Sequence, residues 1–420
     1  MWFAPGRASV FALLLSLAEP AAAPDADFVA WARSRAAPID ASGKAFRSLD
    51  RDLENVRLIG VGESVHQVQE FLTFRLELLQ DLVRRQRVTA LVFESGLPEA
   101  MAADDYVRGR TAAIDFDVAL PGGYAAPTEI RRAVEWIREW NLGDGRSRPV
   151  GVYGADLPNR SGSMIPALDR LAELTEENRD VQGAIEAVRP TASRIAGDWW
   201  KAAIDKYDAL SPEAKTALAA GVARLVERVE AVSDADRERL AWARRVAIVV
   251  RQHEEMLRLG PFSPARDRAM ADNTLWVVGR IGSGERAVYW AHNAHVQRVR
   301  VNGPSLPAKD LVPAGAHFQE ALGDRYYAIG TAYGGTAVDK SAMPNEEESV
   351  DRVLETVAKG PFLLTWRGAG APRRAEAWLA RVRPMRFQVQ YLEVALGPAF
   401  DAVAYFGRAT PAARAKKNPS

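Results

Sequence analysis

The sequence predicts an α/β protein with a mostly parallel sheet flanked by helices and a helical bundle inserted into it. Three observations carry that prediction. Short apolar runs alternate with segments of helical periodicity. Four of the runs stop at a polar side chain: Glu63, Glu94, Asp156 and His292. Between about residues 163 and 259 strand signals give way to helix-type spacing rich in charge.

Phe28 to Arg35 has helical character. Val56 to Val61 reads as a buried strand that stops at Gly62 and Glu63. Gln69 to Arg85 is an amphipathic helix, with Phe71, Phe74, Leu78 and Leu82 on one face. Val88 to Phe93 is the next strand, ending at Glu94, so this stretch is a βαβ unit with parallel strands. Thr128 to Trp140 repeats the helical spacing through Ile130, Val134 and Ile137. Pro149 to Gly154 is a strand ending at Ala155-Asp156. The bundle of 163–259 follows, punctuated by Pro190 and Pro212. Alternation resumes with a helix over Arg266 to Ile281 and a strand over Ala287 to Ala291. Tyr326 to Thr331, Phe362 to Thr365 and Ala402 to Phe406 are later strands. Ala412 to Ser420 reads as a frayed basic tail.

The amino terminus has a signal-peptide pattern: Arg7, an apolar run from Ala8 to Ala18, then small residues ending at Ala23. The expected organisation is a signal segment over 1–23 and one α/β domain over 24–420. That places the chain in the periplasm or outside the cell, or in the cytoplasm if the segment is not cleaved. No later segment is long and apolar enough to span a membrane. The formal net charge of +1 gives no global field for nucleic acid, and no basic-aromatic stripe supplies a local one. The absence of cysteine removes disulfides, thiolate metal sites and a thiol nucleophile. The oligomeric state is not legible.

In parallel α/β sheets, ligands bind beyond the carboxyl ends of the strands. Neighbouring strands would bring Glu63, Glu94, Asp156 and His292 to one pocket. Gly62-Glu63-Ser64-Val65-His66 and Ala291-His292-Asn293-Ala294-His295 hold three of the five histidines. The spacing of Glu63 and His66 can set a carboxylate beside an imidazole, which raises its basicity and fixes its tautomer. A buried core histidine and a helix cap at Ser64 are the plainer alternatives. The same residues include oxygen and nitrogen donors that suit zinc, but no H-E-x-x-H helix is present. Neither a nucleophile elbow nor a phosphate loop occurs. Trp199-Trp200 fits either packing within the bundle or the wall of a hydrophobic cleft.

These motifs resemble those of the erythromycin esterase family. The matching pieces are Gly62 to His66 with Glu70-Phe71 and Arg75, then Val92-Phe93-Glu94 with Pro98-Glu99-Ala100. Tyr153-Gly154-x-Asp156, Arg266-Asp267-x-x-Met270-Ala271-x-Asn273 and Ala291 to His295 follow in order. The resemblance implies an ester or lactone hydrolase, macrolides among its candidate substrates, that works without a metal or other cofactor. By the same resemblance His66 is the base that activates water, and Glu94 tunes it. Glu63 and His292 join them as catalytic positions, and Arg75, His295, Asp156 and Arg266 support the site or bind substrate. Many members carry Gly after the motif histidine, where this chain has Gln67, so the adjacent loop is expected to differ. A metal-dependent hydrolase on the same cluster and a non-catalytic periplasmic binding protein are the competing expectations.

Overall fold

The computed structural model describes residues 25–415, except 122, 234, 261, 305, 307–310, 335–345, 347, 369 and 389. The signal-peptide pattern falls outside the described residues, and so do 416–420. The strands are β1 (Ala37–Pro38), β2 (Leu58–Glu63), β3 (Val88–Gly96), β4 (Gly151–Asp156), β5 (Arg286–His292), β6 (Tyr326–Tyr333), β7 (Phe362–Thr365), β8 (Val382–Phe387), β9 (Gln390–Ala395) and β10 (Ala402–Phe406). Eight of them form one sheet in the order β1-β7-β10-β6-β2-β5-β3-β4. From β10 to β4 all neighbours run parallel. Only β7 reverses direction, pairing antiparallel with β10 and β1. The sheet is therefore mostly parallel, as the alternation of elements predicts.

Both faces of the sheet are covered, which is why its strands read as unbroken apolar runs. Every residue of β2, β5 and β6 is buried. On one face, Ile59, Val61, Leu91, Phe93 and Trp290 pack against the helices Gln69–Arg85, Leu97–Val107 and Thr128–Leu142. On the other, Leu58, Val92, Tyr289 and Tyr326 meet Ala265–Arg280, Ala314–Leu322 and Arg373–Ala380. Burying one such side chain stabilises the fold by about 1.5–3 kcal/mol.

Between β4 and the helix Ala265–Arg280, five α-helices of the described residues share their own apolar core: Ile165–Leu174, Arg179–Ile195, Trp200–Asp208, Pro212–Glu230 and Arg237–Leu259. Leu97 and Met101 join this core and tie the bundle to the sheet layer. Pro212 starts a helix capped by Ser211, but Pro190 does not punctuate anything. It lies inside Arg179–Ile195, on an exposed position where the freed carbonyl can turn to water.

Three further features depart from the sequence reading. The antiparallel hairpin β8–β9 was not expected, because Arg383 and Arg386 occupy buried positions and break the apolar pattern. Ser64 does not cap the following helix. Val68 holds the cap position of Gln69–Arg85, and the Ser64 hydroxyl is buried without a partner. The tail from Ala412 is not frayed over its described part. Ala412 N donates to Gln67 O at 2.8 Å, and Ala415 N donates to Ala126 O at 2.9 Å. The Glu70 carboxylate accepts from the Thr410 amide and hydroxyl at 2.8 and 2.9 Å. Residues 410–415 thus clip the loop after β2 to the segment before Thr128.

Candidate active site

Strand register brings the polar residues together. Glu63 and His292 are direct partners across β2 and β5. Between β3 and β4 the register slips by one residue between Phe93 and Gly96. Glu94 sits in that irregularity rather than at a strand end. Such bulges re-aim side chains beside active sites. A cavity of about 360 Å³ lies over these strand ends, lined by Glu63, His66, Arg75, Glu94, Asp156 and Arg266 among others. His292 and His295 do not line it and stand behind its wall.

The first group is Glu63, His66 and Arg75. His66 Nδ1 is 2.7 Å from Glu63 Oε1. Glu63 Oε2 lies 3.0 Å from Nη1 of Arg75, which is fully buried. The other Arg75 nitrogen donates to Val61 O at 2.7 Å and Ala291 O at 2.5 Å, binding β2 to β5. Burial alone would raise the Glu63 carboxyl, but Arg75 and His66 outweigh it and hold it below its ordinary value. Burial likewise pushes His66 down, and the Glu63 and Glu94 charges overcome this to leave it raised. With Nδ1 on Glu63, the second nitrogen of His66 has no protein partner among the described residues, and the side chain is 45% exposed.

The second group is built on Arg266. Its guanidinium donates to both oxygens of Asp156, one at 2.6 Å, and to Glu94 Oε1 at 3.2 Å. Glu94 Oε2 accepts from the His292 amide at 2.8 Å. His295 bridges Asp267 (2.7 Å) and Glu94 (3.4 Å). Burial opposes its charging, yet the two carboxylates prevail and push it up to about 10. His295 Nε2 also lies 3.3 Å from Nη1 of Arg266. With Arg266 it holds Glu94 ionised, well below the usual carboxylate range despite burial.

His292 differs from the residue the sequence suggests. Its Nε2 donates to Ser64 O at 2.9 Å and its Nδ1 accepts from Ala294 N at 3.2 Å. Burial and the neighbouring His66 charge push it down to about 3, so it is a neutral ring with both nitrogens spent. Its ring lies 5.1 Å from that of His66 and 5.6 Å from that of Phe387. Ser64 O also accepts from Gln388 N at 2.6 Å, so the tip of the β8–β9 hairpin buttresses this loop. In this geometry His292 positions the His66 loop and has no free nitrogen for proton transfer. Among the described residues, no three His, Asp or Glu side chains are grouped to hold a metal ion.

Gln67 adopts φ 59°, the left-handed conformation for which glycine is favoured. For a non-glycine residue this costs roughly 1–2 kcal/mol. The tail contact at its carbonyl helps hold it there.

Three site residues escaped the sequence reading of roles. Tyr124 lines the cavity, its ring edge-on to Phe93 at 5.6 Å and its hydroxyl buried beside Glu94. It lies in a Pro- and Gly-containing loop with no periodic signal. Asp267 orients His295 and accepts from Ala314 N at 2.8 Å. Its only signal was adjacency to Arg266 in the helix-opening motif. Glu99 is pushed up to about 7 by burial, aided by Asp156, and one of its oxygens accepts from Asn159 N at 2.6 Å.

Comparison with known proteins identifies the family and the fold. The erythromycin esterase family profile matches residues 83–409. That span contains Glu94, Asp156, Arg266, His292 and His295, while Glu63, His66 and Arg75 precede it. The chain is 23% identical over 310 residues to erythromycin esterase type II of Escherichia coli, covering 69% of this chain and 72% of that protein. It superposes on a crystal structure of a Bacillus cereus protein with a TM-score of 0.78 at 20% identity, covering 93% of this chain and 99% of that one. Superposition on a mutant of the erythromycin esterase EreC in its open conformation gives 0.70 at 21% identity, covering 89% and 95%. By its sequence profile the chain belongs to the erythromycin esterase family, whose fold it shares, and that membership supports hydrolase activity.

Proposed function

We propose that this hydrolase cleaves a carboxylic ester or lactone with water activated by His66. One observation carries the reading: Glu63 fixes Nδ1 of His66 and leaves the other nitrogen facing a cavity walled by ionised groups. A water between that nitrogen and the substrate carbonyl gives up a proton to the imidazole as its oxygen bonds to the carbonyl carbon. When the tetrahedral species collapses, the carbon–oxygen bond of the alcohol breaks and the imidazolium returns the proton to it. Glu63 and Glu94 stabilise the transient positive charge on His66. Tyr124, kept protonated by burial and the nearby carboxylates, is the neutral donor available for the developing oxyanion.

The metal-dependent reading draws less support, because His292 spends both nitrogens on backbone groups and His295 is held between two carboxylates. A pure binding protein would have no use for a carboxylate-oriented imidazole at the cavity wall. The relatives' names make a macrolide lactone one candidate substrate.

The direct test is a mass-spectrometric screen of esters and lactones, macrolides included, against purified protein. At least one compound should gain the mass of water, and His66→Ala should show almost none of that product. A panel in which nothing is hydrolysed, or in which both proteins act equally, counts against the proposal.

A further inference from the structure

Just outside the charged cavity stands an aromatic cluster that the chemistry above does not use. Trp200 lines the cavity at the start of a bundle helix. Its ring lies 5.2 Å from that of Trp199 and 5.9 Å from that of Phe262. Trp199 is 41% exposed and Phe262 45%, among the few large apolar side chains left so open. Scattered exposed apolar residues need no explanation, but two exposed rings that both touch a ring lining a cavity do.

The chain takes trouble to hold them there. Gly197 N donates to Gly162 O at 2.7 Å, and Asn159 Nδ2 donates to Gly197 O at 3.2 Å. A side chain at Gly162 would meet Gly197 O at 2.5 Å and Trp199 N at 2.7 Å, so this approach requires glycine. The turn behind it carries two strained residues, Asn159 at φ 45° and Ser161 at φ 61°. His253, from the last bundle helix, bonds Ser161 O at 3.0 Å. This turn begins three residues after Asp156. The aromatic ledge is thus fastened to the turn that follows the strand end anchoring Arg266.

The geometry points to the Trp199–Trp200–Phe262 ledge as a substrate subsite that receives an extended apolar part of the ester, alkyl or aromatic, lying beyond the scissile bond. The charges inside the cavity are paired with one another, so the arrangement suits a neutral ester whose affinity comes from the apolar part. Removing such surface from water contributes roughly 0.8 kcal/mol per buried methylene. This inference rests on the esterase reading for the word ester, but the ledge can be tested without turnover.

The test uses the full-length chain and ketones, which share the shape of an ester and cannot be hydrolysed. Calorimetric titration with methyl nonyl ketone and methyl propyl ketone should show the longer chain bound tighter by on the order of tenfold or more. In the Trp199→Ala/Phe262→Ala double variant that ratio should fall to below about threefold. If Trp199→Ala unfolds by circular dichroism, Phe262→Ala alone should reduce the ratio about threefold. A ratio unchanged by the substitutions overturns the proposal. So does a wild-type dimer by sedimentation that the double variant abolishes, because the rings would then be covered by a second copy. Chain-length preference with no ester hydrolysed in the screen would retain the ledge and reject His66 as the base of an esterase.

Discussion

His66→Ala is expected to lower turnover on the order of 10²–10⁴-fold, the usual worth of a general base, while leaving the fold intact. The side chain is 45% exposed and its one hydrogen bond among the described residues is to Glu63, so little packing is lost. What disappears is the group that accepts the water proton. The loss should fall on kcat more than on KM, because the imidazole acts on water and not on the apolar body of the substrate. Steady-state kinetics on any ester found in the screen will check this, with circular dichroism confirming the fold. Turnover within about threefold of wild type would move the base elsewhere, well short of what a general base supplies.

Arg75→Met should produce the largest loss of stability. Arg75 has no solvent exposure and lies 5.8 Å over the Trp290 ring. It is the cation that keeps Glu63 ionised, and it satisfies two carbonyls at the ends of adjacent strands. Removing one partner of a buried ion pair typically costs about 3–5 kcal/mol, because the other charge is left uncompensated. That is a large share of a total stability of about 5–15 kcal/mol. Denaturant titration should show the midpoint falling sharply. Adding Glu63→Gln should recover part of the loss, since the stranded charge is then gone. A loss under about 1 kcal/mol would mean that the pair contributes no more than a surface contact.

The sequence was most legible where burial on both faces left unbroken apolar runs. The helix Gln69–Arg85 and the strands Phe362–Thr365 and Ala402–Phe406 coincide with the periodicity. The ends of the apolar runs named four residues that the sheet gathers, because a parallel sheet collects its carboxyl ends. What the sequence hid was set by partners far along the chain. Arg383 is buried against Trp378 and Asp25, and Arg386 against Tyr333 and Tyr391, so their hairpin carries charge where a strand pattern demands apolar residues. His292 and His295 read alike as repeats of one motif. One ring is saturated by Ser64 O and Ala294 N, and the other is held between Asp267 and Glu94. Tyr124 and the ledge at Phe262 lie in loops, where periodicity says nothing. Gln67 is the instructive intermediate: the family resemblance flagged its position, and its φ of 59° shows why glycine is common there.

The pH dependence of kcat/KM, measured in the presence of a chelator for wild type and Glu63→Gln, tests the central claim most directly. His66 is raised above its ordinary value of about 6.5. It is charged, and useless as a base, below its raised pKa and neutral above it. Wild-type activity should therefore climb through one acid limb whose midpoint lies above about 6.5, with or without chelator. Glu63→Gln removes the hydrogen-bonding charge that favours the imidazolium, so its limb should move to lower pH and its plateau should fall. An acid limb that Glu63→Gln leaves in place, or activity abolished by the chelator and restored by zinc, would contradict a metal-free His66 base.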